Sequence, residues 1–107
     1  MFPDAPPVVL PEIEILTPPE EAVELEPPVK VVIHNDDVTP FDFVSLVLRV
    51  IFQLTPADAE SITYTAHTTG AAVVGVLPLE EAKYRVGQAH SLARQNGYPL
   101  TFSIEPE

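Results

Sequence analysis

Residues 29–44, with the sequence VKVVIHNDDVTPFDFV, contain the signals that decide the fold. The segment 29–34 is rich in β-branched residues and ends at a turn-forming asparagine, which predicts a buried strand. A helix start follows, because Thr39 can cap a helix, Pro40 loses nothing at the first helical position and Asp42 lies in the positive first turn. The stretch therefore predicts a strand joined to a helix by a short acidic loop.

The next part of the chain repeats these signals. Thr55 and Pro56 predict a second helix that runs to about His67. Gly70 should end this helical region, because glycine readily adopts a positive φ. Residues 71–77 are short, apolar and largely β-branched, so they predict a second strand.

The remaining residues complete an alternating order of strands and helices. Pro78 predicts the start of a third helix, Asn96 and Gly97 its end, and residues 99–104 a last strand. The order β-α-α-β-α-β favours an α+β fold, with three helices packed on one face of a three-stranded antiparallel sheet. Helical spacing predicts core positions in each helix: Phe43, Val44, Val47, Leu48, Ile51 and Phe52 in the first, Ala59, Ile62 and Ala66 in the second, and Leu79, Ala82, Val86, Ala89 and Ala93 in the third.

The prolines and charges divide the chain into two parts. Residues 1–28 hold 8 of the 13 prolines, 7 acidic residues and no basic residue. Proline removes backbone donors and fixes φ, so we expect an extended, mostly disordered tail here. Residues 29–107 are expected to form one folded domain, since 107 residues leave room for a single core.

The composition excludes several classes of function. The chain has 16 acidic and 5 basic residues, and this acidity disfavours nucleic acids and anionic membranes as partners. The lack of cysteine removes disulfides, thiol catalysis and thiolate metal sites. The start of the chain lacks a basic leader, and no apolar run approaches the roughly 18 residues of a membrane span. We expect a soluble cytoplasmic protein.

Two polar features suggest a binding site. Asn35, Asp36 and Asp37 form the acidic loop, and His67 lies at the end of the second helix. Separately they could be a simple turn and a favourable charge at a helix end. Together they supply carboxylate, amide and imidazole acceptors, which suit a positively charged group with three donors, such as a protein α-amino group.

Catalysis and metal binding are poorly supported. His34, Asp36, Asp37 and His67 could be imagined as metal ligands, but their spacing matches no metal signature. Serine hydroxyls are present, without a nucleophile elbow or a paired base. We therefore expect no enzyme activity, no cofactor and no metal, and we expect His34 to end the first strand without holding the amino group.

Residues 31–44 resemble the start of the core of the ClpS family, the bacterial adaptors that bring N-degron substrates to a Clp protease. The resemblance continues through residues 66–70, 74–76, 80–82 and 93–100 and covers about residues 29–105. The acidic triplet alone is a weak signal. Combined with Thr39-Pro40, the distant His67 and the Pro-Leu pair before the last strand, it is specific.

The resemblance implies a role for each matching residue. Asn35, Asp36 and His67 match the family residues that hold the α-amino group, and Asp37 and Thr39 belong to the rim. The side-chain pocket would consist of Ile33, Phe41, Val44, Thr63, Ala66 and Leu100. The expected ligands are proteins whose first residue is Leu, Phe, Tyr or Trp.

Three departures from the family pattern affect the pocket. Phe41 stands where the family usually has a methionine gate, Thr63 where an apolar residue is common, and Ala66 where valine is common. A larger gate and two smaller wall residues can compensate in volume. We expect an unchanged amino-group site and a retuned side-chain preference.

The resemblance also implies a partner, the N-terminal domain of the unfoldase ClpA or ClpC, and a monomeric adaptor. Glu80 and Arg85 on the third helix match charged family positions that contact the unfoldase, although without the resemblance a solvated helix face would be the better explanation of them. A different class of function, a structural interaction module resembling the C-terminal domain of the ribosomal stalk protein, would have the same order of elements. That domain lacks the paired acidic loop and distant histidine.

Overall fold

The computed structural model describes residues 27–107, so the predicted tail at 1–28 lies almost entirely outside the described residues. The order of elements is the predicted β-α-α-β-α-β. Their bounds are β1 Pro28–His34, α1 Phe41–Val50, α2 Pro56–Thr69, β2 Ala71–Pro78, α3 Leu79–Gln95 and β3 Thr101–Pro106. The predicted fold class is confirmed.

The sheet has the antiparallel order β2-β1-β3, with β1 in the centre. Ile33 of β1 lies opposite Ala72 on one side and Phe102 on the other. Between Val31 and Val32 the register with β2 shifts, which leaves Val74 as an extra, buried residue in that strand. Such a bulge bends a strand and changes the direction of its side chains.

The start of α1 differs from the prediction. Pro40 occupies the cap position, no side chain caps the helix, and the Pro40 carbonyl accepts hydrogen bonds from the Phe43 and Val44 N–H groups. Thr39 does not cap the helix, because its hydroxyl donates to the Asp36 carboxylate at 2.9 Å. The acidic loop thus uses the threonine that the sequence pattern assigned to the helix.

The second helix begins and ends as predicted. Thr55 caps α2 by accepting a hydrogen bond from the Asp58 N–H at 3.1 Å. Gly70 follows the helix with a φ of 98°, a left-handed conformation that glycine adopts without steric cost. This turn leads directly into β2. Because β2 pairs with β1, the end of α2 lies beside the end of β1.

The last strand begins two residues later than predicted. Segment 98–100 is not part of β3, because the Arg94 side chain donates to the carbonyls of Tyr98 and Leu100 at 2.8 and 2.9 Å. These carbonyls are therefore engaged by the end of α3. The connection holds Leu100 in a buried position before the sheet resumes at Thr101.

The core lies between the helices and one face of the sheet. Most predicted core positions are buried, and Phe43, Ile51, Ile62 and Leu79 are partly buried against the core. In α2 the buried positions are Ala59, Thr63 and Ala66, so Thr63 joins the predicted apolar positions, while Ile62 is partly buried against the core. The buried face of α2 therefore includes one polar residue.

Candidate functional site

A cleft of about 170 Å³ lies where the end of β1, the acidic loop, α1 and α2 meet. It is lined by Ile33, His34, Asn35, Asp36, Asp37, Thr39, Phe41, Val44, Thr63, Ala66, His67 and Leu100. The structure thus brings together all eleven residues that the resemblance assigned to the amino-group site, the rim and the side-chain pocket. His34 is the one further lining residue.

The cleft is apolar and buried on one side. Ile33 and Leu100 are almost fully buried, and Val44, Thr63 and Ala66 are buried beside them. Phe41, the expected gate, keeps 38% of its surface exposed. A side chain that entered this part of the cleft would exchange water for apolar contacts, which stabilises a complex by roughly 25 cal/mol per Å² of buried apolar surface.

The other side of the cleft is polar and open to solvent. Asn35, Asp37 and His67 are exposed, whereas Asp36 is half-buried. The Asn35 N–H donates to the Gly70 carbonyl at 2.9 Å, and this bond ties the acidic loop to the end of α2. The tie brings His67, which is distant in sequence, to the same side of the cleft as the loop.

Asp36 organises the acidic loop. One carboxylate oxygen, Oδ1, accepts hydrogen bonds from the N–H groups of Val38 and Thr39 at 2.8 and 2.6 Å. Burial by itself would raise the pKa of Asp36, but these bonds, the Thr39 hydroxyl and the positive charge of Arg94 outweigh it and lower the pKa below its ordinary value of 3.8. The carboxylate therefore stays ionised and fixes the loop around a negative charge.

His34 is held by the last strand. Its Nε2 lies 2.7 Å from the Ser103 hydroxyl oxygen, and that hydroxyl donates in turn to Glu105 at 3.1 Å. The Ser103 hydroxyl thus connects the imidazole to Glu105. The imidazole is thus committed to β3, although His34 borders the cleft.

Arg94 contributes to the cleft, although the sequence analysis assigned it no role. Its hydrogen bonds to the Tyr98 and Leu100 carbonyls fix the segment that carries Leu100 into the cleft wall. Its charge also lowers the pKa of Asp36. A basic residue in the last turn of a helix, just before an Asn-Gly turn, is the only sequence signal for this role, and the same signal accompanies ordinary helix ends.

The two residues assigned to an unfoldase interface lie outside the cleft lining. The Glu80 carboxylate is 3.2 Å from the Lys83 ammonium. Arg85 pairs with Glu81 at 2.9 Å and also donates to the Ile51 carbonyl at the end of α1. Arg85 therefore has an internal role in joining α3 to α1, and a role in partner binding stays a prediction for both residues.

Within residues 27–107 no group of three or more histidine, aspartate and glutamate side chains is arranged to hold a metal ion. In the same part of the chain, none of the helices is long and apolar enough to cross a membrane. The chemistry that the described residues offer at the cleft is hydrogen-bond acceptance, negative charge and apolar contact.

Comparison with known proteins adds independent information. A family model described as ATP-dependent Clp protease adaptor protein ClpS matches residues 24–103. The ClpS of Desulfatibacillum aliphaticivorans is 37% identical over 94 residues, 88% of this chain and 90% of that protein. The ClpS of Desulfotalea psychrophila is 46% identical over 83 residues, 77% of this chain and 81% of that protein.

A solved structure is similar as well. The structure of Agrobacterium tumefaciens ClpS2 bound to L-phenylalaninamide matches with a TM-score of 0.73 and 37% sequence identity. The match covers 76% of this chain and 98% of that chain.

Proposed function

Since the chain belongs to the ClpS family of ATP-dependent Clp protease adaptor proteins, we propose that it binds proteins with a free α-amino group and a bulky hydrophobic first residue. Leu, Phe, Tyr and Trp are the first residues it would accept. It would deliver these N-degron substrates to a Clp unfoldase and would not itself be an enzyme. The observation that carries the proposal is one cleft with acceptors at its mouth and a buried apolar interior.

The polar mouth suits an ammonium group. An α-ammonium has three donors and a positive charge, and Asn35 and His67 are exposed beside the loop with acceptor atoms to offer. Asp36 already accepts three hydrogen bonds within the loop. Of the roughly four lone-pair positions of a carboxylate, it keeps one for a ligand. We therefore assign it mainly the fixed negative charge, and assign the directional contacts to Asn35 and His67, with Asp37 and Thr39 at the rim.

The buried interior suits a bulky side chain. An apolar cavity of about 150 Å³ is sufficient to bind benzene, and this cleft measures about 170 Å³. L-phenylalaninamide, the ligand of the similar Agrobacterium protein, combines a free α-amino group with an aromatic ring. A ligand of that kind would place its amino group at the polar mouth and its ring among the buried residues.

The partner for delivery would be the N-terminal domain of ClpA or ClpC. Glu80 and Arg85 remain our candidates on the adaptor side, and they lie on α3, away from the cleft lining. An adaptor must hold a substrate and an unfoldase at the same time, so separate surfaces for the two are a requirement of the proposed function.

The free amino group provides the decisive test. We would titrate a peptide that begins with phenylalanine against the full chain by calorimetry, beside the same peptide with an acetylated amino group. Acetylation removes the positive charge and leaves the acceptors of the loop unpaired, so only the free peptide should bind. Equal binding of both peptides, or no binding of either, would contradict the proposal.

A further inference from the structure

Thr63 is an unusual residue in the wall of the cleft. It is the one buried residue with a polar side chain among residues 27–107, with 3% of its surface exposed. It lines the cleft together with Ala66 and His67 of the same helix. Buried polar groups usually satisfy a specific hydrogen-bonding requirement, so the state of this hydroxyl has to be accounted for.

The Thr63 hydroxyl has a partner for its proton but none among the described residues for its acceptor positions. Its proton is donated to the Ala59 carbonyl at 2.7 Å, one turn earlier in α2. A hydroxyl oxygen also has two acceptor positions, and none of the described residues donates to this one. Thr63, which lines the cleft, therefore keeps free acceptor positions and no free donor.

The geometry of α2 sets the distance between His67 and the Thr63 hydroxyl. His67 is exposed at the mouth, and Thr63 is buried one turn away on the same face of α2. Four residues of α-helix rise about 6 Å along the axis, which is comparable to the reach of an aromatic side chain from its own amino nitrogen. A ligand with its amino group beside His67 would bring the far end of an aromatic ring near Thr63.

We propose that the Thr63 hydroxyl oxygen is a specificity-determining acceptor, which makes this chain prefer a first residue with a hydrogen-bond donor at its far end, tyrosine over phenylalanine. The inference rests on the proposed function and specifies its ligand. A phenolic hydroxyl usually has a hydrogen-bond partner when it is buried. In this cleft the tyrosine hydroxyl would donate to Thr63, whereas phenylalanine would leave the acceptor unused.

The test compares two peptides that differ only in the first residue, tyrosine or phenylalanine. Each is titrated by calorimetry against the full chain and against Thr63→Val, which keeps the shape of the side chain and removes the hydroxyl. We expect the parent to favour tyrosine. In Thr63→Val the ratio of the two affinities should fall by roughly three- to tenfold, as for the loss of one hydrogen bond, with a smaller change for phenylalanine.

Two controls separate a hydrogen bond from a change in packing. Thr63→Ser keeps the hydroxyl and should retain the preference for tyrosine. Peptides beginning with 4-fluorophenylalanine and 4-aminophenylalanine test the parent itself, since the fluorine cannot donate and the amine can. This comparison decides the question even if Thr63→Val fails to fold.

An unchanged tyrosine-to-phenylalanine ratio in Thr63→Val, with both peptides bound, would overturn the proposal and leave a cleft that selects by size alone. Equal binding of the fluoro and amino peptides by the parent would overturn it as well. If the parent binds none of these peptides, or binds acetylated twins equally, the proposed function itself fails, and this inference with it.

Discussion

Asp36 combines structural and electrostatic roles in one side chain. It accepts hydrogen bonds from two backbone N–H groups and from the Thr39 hydroxyl, and its pKa is lowered by these bonds together with Arg94. Two consecutive acidic residues in the loop could look equivalent in sequence. The structure separates them, because Asp36 is half-buried and bonded while Asp37 is exposed.

Replacing Asp36 by asparagine, its neutral amide, should weaken ligand binding. In Asp36→Asn the side chain can still accept from the backbone, but the negative charge at the mouth is lost. Hydrogen bonds to charged groups contribute roughly 1.5–3 kcal/mol, so we expect at least about a tenfold loss of affinity for a peptide beginning with phenylalanine. Calorimetry measures the loss, and circular dichroism checks the fold.

The matched control is Glu60→Gln, which removes one charge from an exposed position of α2 outside the cleft lining. It should bind the peptide as the parent does. Parent-like binding by Asp36→Asn would show that the fixed charge has no part in holding the amino group.

His90 makes the stability of the domain depend on pH. Its Nε2 accepts a hydrogen bond from the Phe102 N–H at 2.9 Å. Burial, with a contribution from the charge of Arg94, lowers the pKa of His90 below its ordinary value of 6.5. Below pH 6.5 the unfolded chain takes up a proton that the folded chain resists, so the free energy of unfolding should fall as the pH drops from there towards the folded pKa.

Urea unfolding at about pH 7.5 and 5.5 measures this effect. His90→Gln keeps an acceptor without the titrating ring, and its stability should fall less between the two conditions than that of the parent. Asp36 does not interfere, because its pKa lies below 3.8. An identical loss of stability in both proteins would contradict the role of His90.

At the scale of elements, the cleft is positioned by a few hydrogen bonds between helices, strands and loops. Asn35 ties the loop to the end of α2, and Arg94 ties the end of α3 to the segment that carries Leu100. Arg85 joins α3 to the carbonyl of Ile51 at the end of α1. The Asn35 and Arg85 bonds link elements that are separated in sequence, whereas the Arg94 bonds fix the segment that directly follows α3, so the shape of the cleft depends on both kinds of contact.

Arg85 and Lys83 provide a matched pair of residues for measuring how much the bond between α3 and α1 contributes to stability. Arg85 is partly buried and engages both Glu81 and the Ile51 carbonyl, whereas the Lys83–Glu80 pair is exposed. We expect Arg85→Met to lower the free energy of unfolding by roughly 1–2 kcal/mol and Lys83→Met to change it by less than about 0.5 kcal/mol. Urea unfolding measures both, and equal effects would contradict the structural role of Arg85.

At the scale of the whole molecule, the dominant property is the net charge of −11. Two carboxylates of the acidic loop contribute to this charge at the mouth of the cleft. A field of one sign steers charged ligands during diffusion and is screened by salt over a distance of about 10 Å at 0.1 M. Substrates with basic residues near their amino end should therefore associate faster than acidic ones.

Stopped-flow measurements with two peptides that begin with phenylalanine can check this steering. The peptide with basic residues after the first position should associate several-fold more slowly when the salt concentration rises from about 0.02 to 0.5 M. The peptide with acidic residues there should associate faster under the same change. Parallel salt dependence of the two rates would show that the molecular charge does not guide association.

Local signals explain why the order of elements could be predicted from sequence. Thr55 and Pro56 start α2, Gly70 ends it, and the β-branched residues of β1 form the central strand. These signals act within a few residues, where backbone sterics and capping dominate. The prediction failed at the start of α1 and of β3, where Thr39 bonds to Asp36 and Arg94 engages the Tyr98 and Leu100 carbonyls.

The amino-acid sequence was enough to predict the fold class, the family resemblance and the set of residues that could form a site. The packing of helices and strands then showed that these residues line one cleft and that Thr63 is buried in its wall beside Ala66. Helix and strand signals act over a few residues of the chain, whereas the meeting of the acidic loop with His67 and Leu100 depends on packing between segments that are distant in sequence.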